Sequence, residues 1–238
     1  MKKATKVLFV LTVIAMLAAA CAPAAATEAP AATEAPAAEV TEASAAPEAV
    51  CATDEFGCAS FAPGETVKIG MGAPMTGDYA SYGIDISQGA TIAVADAGDV
   101  QGWKFELVAE DDGGTAEGGA AVANKFVSDP SIVAVAGHIF SGATAAAMPI
   151  YEKAGVPMLS PSATNPALTT QGSKVFNRIA FTDVNQGKAA ADYLFNTLSV
   201  KKLALIHDGS DYGKGLADIV AAQFTADGGE VLSEQAIT

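Results

Sequence analysis

From Thr66 onward, short apolar runs alternate with longer stretches in which apolar residues recur every three or four positions. The short runs predict β-strands at 67–73, 104–109, 132–137, 157–160, 175–180, 202–207 and 230–236. Between them Ala, Val and Phe keep a helical period, as in Ala120, Ala123 and Val127, which predicts helices at 84–97, 115–128, 142–154, 185–198 and 213–227. Strand then helix, repeated, predicts an α/β fold of parallel sheets covered by helices on both faces, a three-layer αβα arrangement. Ligands of such sheets bind beyond the carboxyl ends of the strands, so function is expected in the residues just after each strand.

Upstream of Thr66 the alternation is absent. Lys2, Lys3 and Lys6 precede an apolar run from Val7 to Leu17, too short to span a bilayer by itself, which predicts a signal peptide over residues 1–20. The run ends in Leu17-Ala18-Ala19-Ala20-Cys21, which resembles the lipobox of bacterial lipoproteins, although the leucine stands four residues before the cysteine instead of the usual three. That resemblance implies lipidation of Cys21 and a mature chain anchored to a membrane; an ordinary secretory leader with a spare cysteine is the alternative. The remainder of 21–50 is almost wholly Ala, Pro, Glu and Thr, with Ala-Thr-Glu-Ala-Pro at 26–30 repeated at 32–36. Such a composition cannot bury enough apolar surface to order itself, so 21–50 is expected to be a disordered linker between anchor and domain.

Composition narrows the partners. Half of the 238 residues are hydrophobic and 17% are charged, which permits a sizeable core. Lys+Arg 13 against Asp+Glu 27 gives 13 − 27 = −14, a balance that argues against nucleic acid or an anionic membrane surface as a binding partner. Three cysteines are too few for a disulfide scaffold; Cys51 and Cys58 are expected to pair locally in an oxidising compartment, because no further Cys or His lies near enough to complete a metal site.

The loops after the strands carry the candidate chemistry. The first, Gly72-Ala-Pro-Met-Thr-Gly-Asp-Tyr-Ala-Ser-Tyr-Gly83, lacks the G-x-G-x-x-G spacing of a dinucleotide site, and Pro74 removes a backbone donor. Gly137-His-Ile-Phe-Ser141-Gly-Ala-Thr144 places Ser141 at a helix start, where free N–H groups can hold an anion. Ser160-Pro-Ser-Ala-Thr-Asn-Pro166 is rich in hydroxyls and stiffened by prolines, and His207-Asp-Gly-Ser-Asp-Tyr-Gly213 follows the sixth strand. Glu110-Asp111-Asp112 reads as a solvated strand end, and His138 and His207 as structural residues. Neither a metal nor a cofactor is implied. With no G-x-S-x-G pentapeptide and only two histidines, an enzyme is the weaker hypothesis.

These loops, together with Ala121-Val-Ala-Asn-Lys-Phe-Val127 and Asn185-Gln-Gly187, resemble the leucine/isoleucine/valine-binding proteins in unbroken order from Val67 to Thr238. The resemblance implies the type I periplasmic binding fold, a two-lobed Venus-flytrap architecture, with lobe 1 over 51–182 and the start of a truncated lobe 2 over 183–238. It implies a solute-binding subunit of an ABC importer, a monomer that captures a branched-chain or other aliphatic amino acid and delivers it to a membrane permease. A sensor domain of the same fold for amides or small organic acids is the alternative. In the implied site the Ser141 hydroxyl, the neighbouring helix-start N–H groups and the Thr164 N–H hold the ligand carboxylate, while the Ser162 carbonyl and Thr164 hydroxyl accept from its ammonium group. Tyr82 and Tyr212 wall the pocket from the two lobes, Asp183 stands at the crossover, and the acidic residue that usually completes the ammonium site would lie beyond Thr238.

Overall fold

The computed structural model of the protein describes residues 51–237. The predicted signal peptide, Cys21 and the whole predicted linker lie outside the described residues. The observed order is β1 (Thr66–Ala73), a 3-10 turn (Gly77–Tyr79), α1 (Ala80–Ala97), β2 (Lys104–Asp111), α2 (Ala116–Val127), β3 (Ile132–Gly137), α3 (Ser141–Ala154) and β4 (Met158–Ser160). There follow α4 (Ala167–Thr170), β5 (Phe176–Arg178), α5 (Asp183–Asp192) continuing into a π-helical turn (Tyr193–Thr197), β6 (Lys202–His207), α6 (Asp211–Ala226) and β7 (Glu230–Ala236). Among the described residues no helix is long and apolar enough to cross a membrane.

Two parallel sheets result. The larger has the order β2-β1-β3-β4-β5, and β6 pairs with β7 in a second sheet of two strands. On one face of the larger sheet Val122 and Phe126 of α2 and Met148 and Tyr151 of α3 pack with Ile132, Val135 and Met158 into the main core. On the other face Met71, Ala73 and Ile139 meet Ile86 and Ala90 of α1. A third, smaller cluster joins Ala191 of α5 and Val220 and Phe224 of α6 to one face of the β6–β7 sheet. On its opposite face Ile206 and Leu232 are exposed. Cys51 and Cys58 form a disulfide, and the loop they close rests on the main body through an ion pair of Glu55 with Lys174 at 2.7 Å.

Several boundaries differ from the sequence reading, for identifiable reasons. Helix α1 starts at Ala80 and contains Gly83, which the periodicity leaves in the loop. A Cβ at that position would stand 1.9 Å from the Pro74 carbonyl oxygen, so the glycine permits a helix to press against the preceding loop. Strand β5 ends at Arg178, two residues short of the predicted end, and the chain then leaves the sheet with Ile179 and Phe181 exposed. The helix predicted at 185–198 begins at Asp183 and finishes as the π-helical turn, where the Leu198 N–H bonds to the Tyr193 carbonyl. The short helix α4 carries no apolar period long enough to be read from sequence.

Candidate ligand-binding site

The carboxyl ends of β1, β2, β3, β4 and β6 converge on one cavity of about 650 Å³. Each contributes through the loop that follows it: Tyr79, Tyr82 and Ile86 after β1, Gly114 and Thr115 after β2, Ile139 to Gly142 after β3, Ser162 after β4, and Asp208 to Tyr212 after β6. The interior is largely apolar and aromatic, with Tyr79 and Phe140 packed edge to face at 5.0 Å between centroids. No Lys, Arg or His lines it, while Asp208 and Asp211 do, so an anion held there would depend on backbone N–H groups and hydroxyls alone.

That backbone is the start of α3. Its N-cap, Phe140, supplies no side-chain hydrogen bond, so the first-turn N–H groups at Ser141 and Gly142 face the cavity uncapped. The Ser141 side chain is buried, and its Oγ accepts from the Asn165 N–H at 3.3 Å, which leaves its own hydrogen free to be donated. Such an arrangement favours an anion.

A buried network positions this helix start. His138 Nδ1 lies 2.6 Å from Asp112 Oδ2, and its Nε2 lies 3.0 Å from the Tyr151 hydroxyl, with all three side chains shielded from solvent. The His138 carbonyl accepts from the Thr144 and Ser160 hydroxyls, and Asp112 Oδ1 accepts from the Gly114 N–H. Burial and the nearby Asp112 charge push the Tyr151 hydroxyl well above the ordinary phenol value. Asp112 is therefore not the solvated strand end that the acidic run suggests. One oxygen is taken by an imidazole and the other by backbone, so its burial is compensated. Its neighbour Asp111 is exposed and fastens the first loop, accepting from the Met75 N–H at 2.8 Å and from the Thr76 hydroxyl at 2.5 Å. The Thr76 bond, aided by backbone N–H groups, holds the Asp111 carboxyl below its usual value.

The sequence-nominated residues are distributed as follows. Ser141, Ser162, Tyr82 and Tyr212 all border the cavity, the first three from the large sheet and Tyr212 from the first turn of α6. Thr164 and Asp183 are not among the lining residues. Thr164 follows Ser162 by two residues, and Asp183 lies beside it, with the Asp183 N–H bonded to the Thr164 carbonyl at 3.1 Å. Asp183 is fully buried, and neither its carboxylate oxygens nor the Thr164 hydroxyl has a hydrogen-bond partner. Burial raises the Asp183 pKa above the ordinary value. The nearby Thr164 hydroxyl and Arg178 charge pull the other way, but neither makes a hydrogen bond to the carboxylate, and burial prevails. Among the described residues no group of three His, Cys, Asp or Glu could hold a metal ion. Sequence reasoning missed Tyr79, Ile86, Phe140 and Asp211 as cavity residues. The first-loop and third-loop motifs contain Tyr79 and Phe140, but motif membership does not say which way a side chain faces.

The fold has known counterparts. The periplasmic binding protein family profile matches residues 66–238. The chain is 41% identical over 160 residues to an amino acid binding protein of Pseudomonas aeruginosa, covering 66% of this chain and 43% of that protein. It is 38% identical over 165 residues to the Leu/Ile/Val-binding protein of Escherichia coli, covering 68% and 45%. Among solved structures, the branched-chain amino acid transporter substrate binding protein LivJ of Streptococcus pneumoniae, in complex with isoleucine, superposes with a TM-score of 0.64 at 36% identity over 73% of this chain and 50% of that one. The chain thus spans about half the length of the relatives it matches. With a family profile matched over most of its length and a parallel-sheet architecture shared with solved relatives, the chain belongs to the periplasmic binding protein family.

Proposed function

We propose that this protein is the extracytoplasmic solute-binding subunit of an ABC importer, anchored to the membrane through a lipid on Cys21, and that it captures a branched-chain or related aliphatic amino acid for delivery to a permease. The observation that carries the reading is a pairing of opposite needs on neighbouring loops. The uncapped start of α3 at Ser141 seeks an anion, while the Thr164 hydroxyl and the Asp183 carboxylate are acceptors without a donor. An α-amino acid zwitterion answers both if its ammonium group reaches past Ser162 to Thr164 and Asp183, which lie behind the cavity lining. Its carboxylate takes the Ser141 hydroxyl, the helix-start N–H groups and the Thr164 N–H, and its ammonium group donates to the Ser162 carbonyl, the Thr164 hydroxyl and Asp183. The side chain then faces Tyr79, Ile86 and Phe140, with Tyr82 and Tyr212 as opposing walls, which suits an uncharged aliphatic group. The reading groups 51–182 as one lobe and places the start of a second lobe at Asp183, with no covalent chemistry between them.

Thermal-shift and calorimetric titrations with a panel of amino acids test it. Leucine, isoleucine or valine should raise the melting temperature by mass action, because they bind the folded state alone. Ser141→Ala removes a bond to a charged group worth about 1.5–3 kcal/mol, so every accepted amino acid should bind roughly 10- to 100-fold more weakly, with their rank order kept. A folded protein that responds to no amino acid, or a Ser141→Ala variant that changes the rank order and spares affinity, would sink the assignment.

A further inference from the structure

Asn165 has both backbone polar groups and both side-chain polar atoms engaged. Its N–H donates to Ser141 Oγ at 3.3 Å, its carbonyl accepts from Arg178 Nη1 at 2.8 Å, and its Oδ1 accepts from the Ala167 N–H at 2.9 Å. These three bonds stay within the part of the protein built on the large sheet, and they fix the side-chain amide. The fourth leaves it: Nδ2 donates to the Asp211 carbonyl in the first turn of α6 at 2.7 Å. Two glycines make the approach possible. A Cβ at Gly215, one turn further along α6, would stand 2.7 Å from Asn165 Nδ2, and one at Gly142 would stand 3.1 Å from Asp211 Oδ2. The covalent path between the two parts runs through 179–182, and the Asp183 N–H to Thr164 carbonyl bond at 3.1 Å ties the start of α5 to the loop after β4, while the Asn165–Asp211 bond is the tie that reaches α6.

We propose that Asn165 is a positioning residue that sets the separation of the two cavity walls, holding α6, and Tyr212 with it, opposite Ser141 and Ser162. Asn165 does not line the cavity and acts through α6. Asn165→Asp keeps the size of the side chain and the bond to Ala167, but turns an acceptor toward the Asp211 carbonyl. Gly215→Ala drives the same contact apart from the other side, although alanine is the better helix former.

The test measures the separation without ligand. Spin labels at Asn124→Cys on α2 and Thr225→Cys on α6, in a Cys21→Ser background, report the distance distribution between the two parts by pulsed electron spin resonance. Asn165→Asp and Gly215→Ala should each shift the distribution to longer distance and broaden it, with melting temperatures close to the parent. A distribution unchanged in both variants overturns the proposal. The second arm rests on the amino-acid reading given above: titration with leucine should show affinity lowered about tenfold in both variants, expressed as faster dissociation. Longer distances with unchanged affinity would overturn the role in binding. Failure of the parent to bind leucine would count against the amino-acid reading alone, since the distance measurement decides the positioning role by itself.

Discussion

Asp183 is the residue whose state in the empty protein says most about the proposed ligand. A carboxyl with no hydrogen-bond partner for either oxygen is costly to ionise when buried, and burial is the main reason its pKa stands above the ordinary 3.8. The sign follows from linkage. A folded-state pKa above the unfolded value means that stability is highest below the unfolded value and is lost as pH rises through the folded one. Asp183→Asn removes that loss, so the empty variant should melt higher than the parent at neutral pH, with the difference shrinking toward about pH 4. Binding should move the other way. An ammonium ligand needs the ionised carboxylate, so the parent's affinity should fall as pH falls through the raised pKa, and the variant should bind weakly with a flatter profile. Melting curves and calorimetry at several pH values check both halves. A variant less stable at neutral pH, or one with the parent's affinity, would remove Asp183 from the site.

At the scale of elements, the site depends on how closely α2 lies against α3. A Cβ at Gly119 of α2 would stand 2.5 Å from the Ala143 carbonyl oxygen, a backbone atom in the first turn of α3. Alanine there gains about 1 kcal/mol in helix propensity, but forcing two helices apart costs about 1–3 kcal/mol. The net loss is up to about 2 kcal/mol, so Gly119→Ala should lower the melting temperature by up to about 8 °C, at about 2–4 °C per kcal/mol for a domain of this size, as differential scanning calorimetry would show. An increase would mean that the helices separate freely. Gly119 also marks what was legible from sequence. Strands β1, β3, β6 and β7 and helix α2 fall within a residue or two of their predicted bounds; α2 buries a face with a clear helical period, and β6 alternates exposed with half-buried positions. The start of α1 was not legible, since Gly83 is a point of close approach inside a helix and not a break between elements. In the site, the loops that carry Ser141, Ser162, Tyr82 and Tyr212 could be located because they follow strands. The Asp112–His138–Tyr151 network could not, because its members come from three separate elements and only the folded chain brings them together.

The molecule as a whole is unevenly supported. The large sheet is packed on both faces by the clusters around Phe126 and around Met71. The β6–β7 sheet has two strands, one face packed on α5 and α6, and the other exposing Ile206 and Leu232. Parallel strands are ordinarily covered on both sides, and a two-stranded sheet offers little cooperative stability of its own. Local opening should accordingly be easier there, since stability follows the density of buried contacts. Native-state hydrogen exchange of this chain should show amides of β6 and β7 exchanging at least about tenfold faster than those of β1 and β3, a gap of roughly 1.4 kcal/mol in opening free energy. The amides that pair β1 with β3 should open only with global unfolding. Leucine should slow exchange in α6 as well as at the start of α3, because the proposed ligand is held from both sides. Equal protection across the two sheets in the absence of ligand would mean that the open face is covered in solution, and would transfer the stability of the β6–β7 part from its own core to whatever covers it.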